Sequence, residues 1–365
     1  MSDVGKPIDP GSIRNILVVK PSSLGDIVHT FPALELLRRH CPGAELDFVV
    51  IPALAPLLDY SPFPIRDKIL FRRRELGQVV KFVPETWKLL RRLRRHRYDL
   101  VIDFQGLFRS ALISGLAAPR RRIAGFADTR EKGAAWFYGR QIQTTSEHAV
   151  PKNVELVNRL FGTEAPVPEL EIAVGKNLPP PLMPDYLLLF PGARWPSKKF
   201  PESLFAEIAA AAVDRGLTVV LSGSADEESC CRNIASKISA APGKVVSLAG
   251  KTTMSDLFKL CGNAKAVICN DSGPLHIAAL LRRPVFAFFG STCPEKTGPW
   301  GATGRVVRRD LDCLGCLKRT CPRPGVPCQQ LDFKQAADEI LRAVTGSTET
   351  RIVHSTATFD DITGK

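Results

Sequence analysis

The chain has 365 residues, of which 44% are hydrophobic and 24% charged, and its formal net charge is +13. This composition excludes a disordered or fibrous chain, and the length allows two domains that each bury a core. No apolar run approaches the ~20 residues that span a bilayer, and the N-terminus lacks the apolar segment of a secretory signal, so we expect a cytoplasmic protein.

In the first half of the chain, short apolar runs alternate with stretches of helical periodicity. The alternation predicts βαβ units and a parallel sheet. The predicted strands are residues 16–20, 46–50, 68–71 and 98–104, and the predicted helices are residues 27–40, 54–60 and 85–96.

A proline-rich stretch at 178–184 interrupts this pattern, and the alternation then resumes. The second set of strands is predicted at 186–192, 217–223, 245–250, 266–271 and 285–290, with helices at 202–215, 226–239, 255–261, 276–281 and 333–344. The fold class is therefore α/β, with two Rossmann-like, doubly wound parallel-sheet domains at 12–176 and 185–345 and a disordered polar tail at 346–365. Ligands of such sheets bind beyond the carboxyl ends of the strands, so we expect the domains to face an interdomain cleft.

The sequence NDSGPLHIAAL places a polar turn between a buried strand and a helix. Asp271, Ser272 and Gly273 form the turn, and Pro274 suits the first turn of the helix. The free N–H groups and the positive end of the helix dipole are suited to a phosphate or diphosphate. The alternative is an ordinary capped turn, because Asp and Ser are good N-caps. His276, one turn into the helix, either packs in the core or reaches that diphosphate.

The loop after the first strand, KPSSLGDIVH, is a second candidate site. Ser23 and Gly25 form a polar turn, and Asp26 stands at the start of a helix. Asp26 is either a first-turn acid worth about 0.5–2 kcal/mol to the helix or a general base at a strand's carboxyl end. The sequence VIDFQGLFRS repeats this pattern with Asp103 and Gln105.

Two further loops of the second half carry charge at the same predicted sheet edge. PGARWPSKKFP contributes Lys198, a compact cation that can neutralise a diphosphate leaving group without a metal. SGSADEE contributes Glu227, either a carboxylate for ribose or sugar hydroxyls or a solvated first-turn acid. The sequence has no P-loop, no GxGxxG after the first strand and no HExxH pair.

Four of the ten cysteines form a C-x2-C-x4-C-x6-C cluster. Its thiolates could close a structural zinc site or, less readily, an iron–sulfur site. The other interpretations are a redox staple and free thiols in a lid loop. The cluster consists of Cys313, Cys316, Cys321 and Cys328.

Basic residues cluster at 72–74, 91–97 and 120–122, all in the first half of the chain. Such clusters are either solvated faces or a surface for an anionic partner: nucleic acid, a membrane or a phosphorylated substrate. Nucleic-acid binding predicts aromatic residues between the basic ones. The run at 91–97 contains none, and aromatic residues are only 7% of the chain, so nucleic acid is not expected as a partner.

From residue 16 to about residue 344, the chain resembles the bacterial lipopolysaccharide heptosyltransferases, glycosyltransferase family 9, which have the GT-B fold. The resemblance depends on the order and spacing of seven motifs together. These are KPSSLGDIVHTFPAL, VIDFQGLFRSAL, RRRIAGF, EHAVPKNVEL, PGARWPSKKFP, NDSGPLHIAAL and FFGSTCPEKTGPWG.

The resemblance implies transfer of heptose from ADP-heptose to an acceptor sugar of the lipid A core, with inversion and without a catalytic metal or other cofactor. It implies that Asp26 is the general base and that Lys198 lies near the donor phosphates. The other implied residues are Glu227, Asp271, Ser272, Gly273 and His276 for the donor, and Ser23, Gly25, Arg120 and Arg122 for the acceptor.

An anionic glycolipid acceptor also implies transient contact with the cytoplasmic face of the inner membrane. The predicted helix at 85–96 places Trp87 and Leu90 beside arginines, a pattern that suits anionic lipid or plain solvation. The main alternative is a GT-B transferase or epimerase that uses another nucleotide-sugar. A more distant alternative is a basic nucleic-acid-binding protein with a zinc knuckle.

Overall fold

The computed structural model describes residues 6–72, 75, 79–175, 185–239 and 241–346, without the side chains of 79–82. The chain divides into two compact units between Ile172 and Ala173. The proline-rich stretch at 178–184 and the tail beyond residue 346 lie outside the described residues. The predicted domain bounds and the disordered tail therefore stay predictions.

The described residues of the first unit form six parallel strands and five α-helices. The sheet order is 3-2-1-4-5-6 in strand numbers, the Rossmann order, and its topological switch point lies between the first and fourth strands. The strands are β1 (Asn15–Val19), β2 (Glu45–Val50), β3 (Ile65–Leu70), β4 (Leu100–Asp103), β5 (Ile123–Phe126) and β6 (Arg140–Ile142), and the helices are α1 (Leu24–Val28), α2 (Phe31–His40), α3 (Val79–Leu93), α4 (Phe108–Ala117) and α5 (Ala149–Phe161).

The second unit repeats this topology. Its strands are β7 (Leu187–Phe190), β8 (Val219–Leu221), β9 (Val245–Ser247), β10 (Ala266–Asn270), β11 (Val285–Phe288) and β12 (Gly304–Val307), and its helices are α6 (Glu202–Asp214), α7 (Glu228–Ser236), α8 (Met254–Asn263), α9 (Gly273–Leu280), α10 (Pro294–Thr297) and α11 (Phe333–Thr345). The sheet order is β12-β11-β10-β7-β8-β9. The switch point of this sheet therefore lies between β7 and β10.

The central strands are buried along their whole length, because consecutive apolar residues point to both faces of the sheet. Every residue of β7 and β10 is buried. Such runs are typical of parallel sheets that helices cover on both faces. The predicted fold class, α/β with two doubly wound parallel sheets, is confirmed.

The helix predicted at 27–40 is in fact two helices, α1 and α2. Pro32 has no N–H to donate to the carbonyl of Val28, so the α-helical ladder ends there. Thr30 N instead donates to Ile27 O at 2.9 Å in a tighter turn. The break leaves α1 as a separate short helix at the carboxyl end of β1, and Asp26 lies in its first turn.

Other differences concern short or proline-containing segments. The helix predicted at 54–60 is a 3₁₀ helix, Pro52–Tyr60, with Pro56 inside it. The sequence patterns did not predict β5, β6 and β12, which have only three or four residues each. Among the described residues, no helix combines the length and the apolar character needed to cross a membrane.

Candidate active site

The turn between β1 and α1 holds Asp26 in a fixed position. The N–H and the hydroxyl of Ser23 both donate to Asp26 Oδ2, at 2.9 and 2.8 Å. This is the capping box of α1, with Ser23 at the N-cap and Asp26 at the third helical position, and Gly25 is buried between them. Within the described part of the chain, Asp26 Oδ1 accepts no hydrogen bond. Asp26 therefore caps the helix with one oxygen and has the other available for a ligand.

A buried lysine controls the charge of Asp26. Lys20 directly follows β1, and its Nζ donates to Phe104 O at 2.8 Å. Burial lowers the pKa of Lys20, and the charge of Asp26 only partly opposes this. Burial raises the pKa of Asp26, but the charge of Lys20, the bonds from Ser23 and the charge of Arg130 outweigh it, so the pKa lies well below its usual range. Asp26 is therefore ionised at neutral pH.

The turn after β4 is held by Asp103. This wholly buried carboxylate accepts hydrogen bonds from Tyr138 Oη at 2.7 Å and from Gln105 N at 2.8 Å, and burial raises its pKa. These bonds give Asp103 a structural role. Gln105 Oε1 is buried and has no hydrogen-bond partner among the described residues, so it is a polar group available at the carboxyl edge of the sheet.

Arg120 and Arg122, predicted as acceptor residues, lie at the opposite edge of the sheet from Asp26. They form a 3₁₀ turn that precedes β5, and in a parallel sheet the starts of all strands share one edge. Their guanidinium groups donate to the backbone, Arg120 to Tyr138 O at 3.2 Å and Arg122 to Tyr98 O at 2.8 Å. The structure does not bring them to Asp26.

In the second unit, side chains from two different loops meet at the carboxylate of Asp271. Lys198 Nζ lies 2.6 Å from Asp271 Oδ2, and Thr292 Oγ1 donates to the same oxygen at 2.5 Å. Asp271 is only 7% exposed. Asn270 Nδ2 donates to Pro191 O at 2.7 Å and so joins the loops that follow β7 and β10. The ion pair is therefore held at the switch point of the sheet.

The helix α9 begins directly after the polar turn that follows β10, as the sequence predicts. Ser272 is the N-cap, but its hydroxyl makes no capping bond. Ser272 Oγ is buried and has no hydrogen-bond partner among the described residues, and the N–H groups of the first turn are unpaired by the helix. Gly273 and Pro274 begin the helix, and His276, its fourth residue, is buried. An unpartnered hydroxyl at a helix N-terminus beside a lysine suits a phosphate oxygen.

Glu227 reaches the same edge of the second sheet. Its Oε2 accepts a hydrogen bond from Ser224 N at 2.8 Å. The carboxylate occupies the space beside Gly192 and Gly223, where a Cβ atom on either glycine would overlap it. The glycines at the ends of β7 and β8 therefore allow Glu227 to lie over the strand ends.

Four residues of these two sites were not predicted from the sequence: Lys20, Arg130, Thr292 and Trp195. Lys198 Nζ lies 4.8 Å from the ring centroid of Trp195, in a cation–π contact. Lys20, Trp195 and Thr292 lie inside motifs of the family resemblance. Their place in those motifs could have indicated them as site residues. Arg130 stands outside all seven motifs.

The four clustered cysteines are free thiols. Cys328 is buried, and burial raises the pKa of its thiol. Over the described residues, no group of three or more His, Cys, Asp or Glu side chains is placed to hold a metal ion. The structural zinc site at these cysteines stays a prediction.

A known protein family and individual known proteins match most of the chain. The family described as "Glycosyltransferase family 9 (heptosyltransferase)" matches residues 86–326. Lipopolysaccharide heptosyltransferase 1 of Pseudomonas aeruginosa is 33% identical over 318 residues, which cover 84% of this chain and 87% of that protein. Lipopolysaccharide heptosyltransferase 1 of Escherichia coli is 28% identical over 82% of this chain and 95% of that protein.

Solved structures agree with these matches. The structure of E. coli heptosyltransferase WaaC with ADP superposes with a TM-score of 0.74 at 25% identity, covering 90% of this chain and 99% of that one. The structure of E. coli ADP-heptose heptosyltransferase II gives a TM-score of 0.72 at 25% identity, covering 90% of this chain and 98% of that one. The predicted family and the GT-B fold class are thereby confirmed, and the alternatives are not supported. The chain belongs to glycosyltransferase family 9, the heptosyltransferase family, and is a glycosyltransferase.

Proposed function

We propose that this protein transfers a heptose from ADP-heptose to an acceptor sugar of the lipid A core of lipopolysaccharide. The observation that carries the donor assignment is the Lys198–Asp271 pair beside Ser272 at the N-terminus of α9, whose buried hydroxyl has no hydrogen-bond partner within the described ranges. The relatives named above are lipopolysaccharide heptosyltransferases, and WaaC was solved with ADP, which supports both the acceptor class and the nucleotide.

On the donor side, charge develops on the diphosphate as the anomeric carbon–oxygen bond breaks. Lys198 and the first N–H groups of α9 stabilise that charge, and Ser272 donates its hydroxyl to a phosphate oxygen. Glu227, at the ends of β7 and β8, binds hydroxyl groups of the ribose or the sugar. A lysine, a hydroxyl and backbone amides suffice for this role, so the proposed reaction needs no metal.

On the acceptor side, Asp26 Oδ1 accepts the proton of the attacking hydroxyl. The acceptor oxygen forms its bond to the anomeric carbon, and the electron pair of the broken bond leaves with ADP. Attack opposite to the leaving group inverts the anomeric configuration. The hydroxyl becomes strongly acidic as its oxygen bonds to carbon, so a carboxylate of low basicity is an adequate base.

The direct test is a transfer assay with the purified protein, a deacylated lipid A core acceptor, and ADP-heptose, UDP-glucose or GDP-mannose as donor. We expect one added heptose by mass spectrometry with ADP-heptose alone, an unchanged rate in EDTA, and an inverted anomer by NMR. Equal transfer from UDP-glucose would contradict the donor assignment, and loss of activity in EDTA would contradict the metal-independent mechanism.

The exposed apolar side chains of the first unit lie in one layer. Val83 and Trp87 of α3 are 71% and 65% exposed, and Trp136 is 77% exposed. The helix α3 and the 3₁₀ turn Ala134–Phe137 pack on the same hydrophobic cluster. The helix α4, which exposes Phe108 and Leu112, packs on it too. We call these five residues the exposed apolar face. Arginines line the groove beside it: Arg72, Arg91, Arg92, Arg94 and Arg95.

Aromatic side chains beside arginines are typical of surfaces that bind anionic lipid, since the rings enter the interface and the cations attract the headgroups. We therefore propose that the exposed apolar face contacts the cytoplasmic surface of the inner membrane, where the glycolipid acceptor is anchored. This makes the protein cytoplasmic and peripheral to that membrane.

We expect Trp87→Ala to weaken sedimentation with phosphatidylglycerol-containing vesicles several-fold, because the ring loses its place in the lipid interface. Arg91→Ala with Arg95→Ala should weaken binding further and reduce its salt dependence, at about 1 kcal/mol per cation. Trp300→Ala, which changes an exposed tryptophan of the second unit, is the matched control. Equal binding of Trp87→Ala and Trp300→Ala would contradict the membrane proposal.

A further inference from the structure

Residues 311–329, which we call the cysteine loop, cover the carboxyl edge of the second sheet. Gly315 N donates to Gly290 O at 3.1 Å, and Leu317 N donates to Ser291 O at 2.7 Å, so the loop is hydrogen-bonded to the chain leaving β11. Cys328 packs so closely on Gly290 that a Cβ atom there would lie 2.6 Å from its Sγ. The loop is thus fixed to the strand end that carries Thr292.

The same loop holds the residue next to Lys198. Ser197 Oγ donates to Lys318 O at 2.6 Å, and Ser197 N donates to Arg319 O at 3.1 Å. Ser197 is only 3% exposed. Both hydrogen-bond donors of Ser197, its N–H and its hydroxyl, therefore bond to carbonyl groups of the cysteine loop.

Two more contacts connect the loop with this segment. Gln329 Nε2 donates to Pro196 O at 3.3 Å. The guanidinium carbon of Arg319 lies 5.6 Å from the ring centroid of Trp195, the ring that Lys198 also contacts. The residues on the N-terminal side of Lys198 are thus each in contact with the cysteine loop.

This support matters because the Lys198 segment has little structure of its own. It is a 3₁₀ turn of three residues, Pro196–Lys198. The flexible side chain of a lysine, with its four-carbon stem, also loses conformational freedom when it binds a phosphate. A group that is already held in place contributes more to a transition state than one that must first be ordered.

We propose that the cysteine loop positions Lys198 for the donor diphosphate, with Ser197 as the positioning residue. This inference depends on the donor site proposed above. It gives the cysteine-rich segment a part in the reaction through its backbone carbonyls.

The test compares Ser197→Ala with Ser291→Ala. The two hydroxyls are hydrogen-bonded to each other at 3.0 Å, and Ser291 is 2% exposed, so both variants lose this bond from a buried site. Only Ser197→Ala also loses the bond to Lys318 O. We expect Ser197→Ala to weaken ADP binding in titration calorimetry on the order of tenfold, the usual effect of one lost hydrogen bond with an unsatisfied partner. It should lower kcat and leave the KM for the acceptor unchanged, whereas Ser291→Ala should stay within about twofold of the wild type.

A second variant keeps the test decisive if Ser197→Ala does not fold. Gln329→Leu removes the bond to Pro196 O and should weaken ADP binding in the same direction. Equal ADP affinities for Ser197→Ala and Ser291→Ala, or wild-type affinity in Gln329→Leu, would overturn the positioning role. Lys198→Ala, measured alongside, separates this failure from failure of the donor site, because wild-type ADP affinity in that variant would refute the donor site itself.

Discussion

Asp26→Asn is expected to lower kcat by a factor of about 10²–10⁴, the usual contribution of a general base, and to leave the affinity for ADP unchanged. The amide has the shape of the carboxylate, and its oxygen still accepts the two hydrogen bonds from Ser23 that cap α1. The variant therefore removes the proton acceptor and keeps the helix cap. Transfer rates at saturating ADP-heptose and acceptor measure the effect.

Ser23→Ala is the matched control for this prediction. It removes the hydroxyl that donates to Asp26 Oδ2 and keeps the carboxylate charge, so it should lower the thermal midpoint more than it lowers kcat. A loss of kcat smaller than about tenfold in Asp26→Asn would be less than the smallest effect expected of a general base. Asp26 would then be only the capping residue of α1.

The pH dependence of kcat/KM gives a second readout of the same residue. The charge of Lys20 is the largest effect that lowers the pKa of Asp26, and it opposes burial, which raises that pKa. Removing this charge in Lys20→Met should raise the pKa of Asp26 and move the acid limb of the profile to higher pH. Lys20→Arg keeps the charge and should leave that limb near its wild-type position. An acid limb at the same pH in Lys20→Met and the wild type would contradict the coupling.

The parts of the sites that could be predicted are those encoded in a few consecutive residues. A turn such as Asp271–Ser272–Gly273 follows its strand directly, so its place at the carboxyl edge follows once the strand is recognised. Asp26 was predicted at the start of a helix, and the capping box that it forms with Ser23, three residues away, is likewise a local feature. Both positions depend on neighbouring residues, which the sequence pattern contains.

The parts that could not be predicted depend on residues that are distant in sequence. Lys20 contacts Phe104 O, and Ser197 contacts Lys318 O, across 84 and 121 residues. No local pattern encodes such pairs. The sheet edge at which the Arg120–Arg122 turn lies could not be predicted for a related reason: the turn precedes β5, a strand of four residues that is too short to be recognised in the sequence. Charge clustering alone does not tell which edge of a sheet a residue occupies.

Lys198→Ala is expected to lower kcat by about 10²–10³, the effect of losing one group that stabilises the departing charge, and to weaken ADP binding strongly. Two causes act together. The variant removes the cation that neutralises the diphosphate. It also leaves the buried carboxylate of Asp271 with the Thr292 hydroxyl as its remaining side-chain partner among the residues that the structure describes. That carboxylate then repels the diphosphate. Calorimetric titration with ADP and the rate at saturating donor measure the two effects.

A double variant distinguishes the two causes. Lys198→Ala with Asp271→Asn removes the repulsion as well as the attraction, so it should bind ADP more tightly than Lys198→Ala alone. When two substituted residues are in direct contact, their effects on the binding free energy are usually non-additive by about 0.5–3 kcal/mol, and we expect about 1 kcal/mol or more here. Lys199→Ala, which removes the exposed neighbouring cation, controls for net charge and should have little effect. Additive losses in the double variant would mean that Asp271 does not hold Lys198 for the donor but contacts the nucleotide independently.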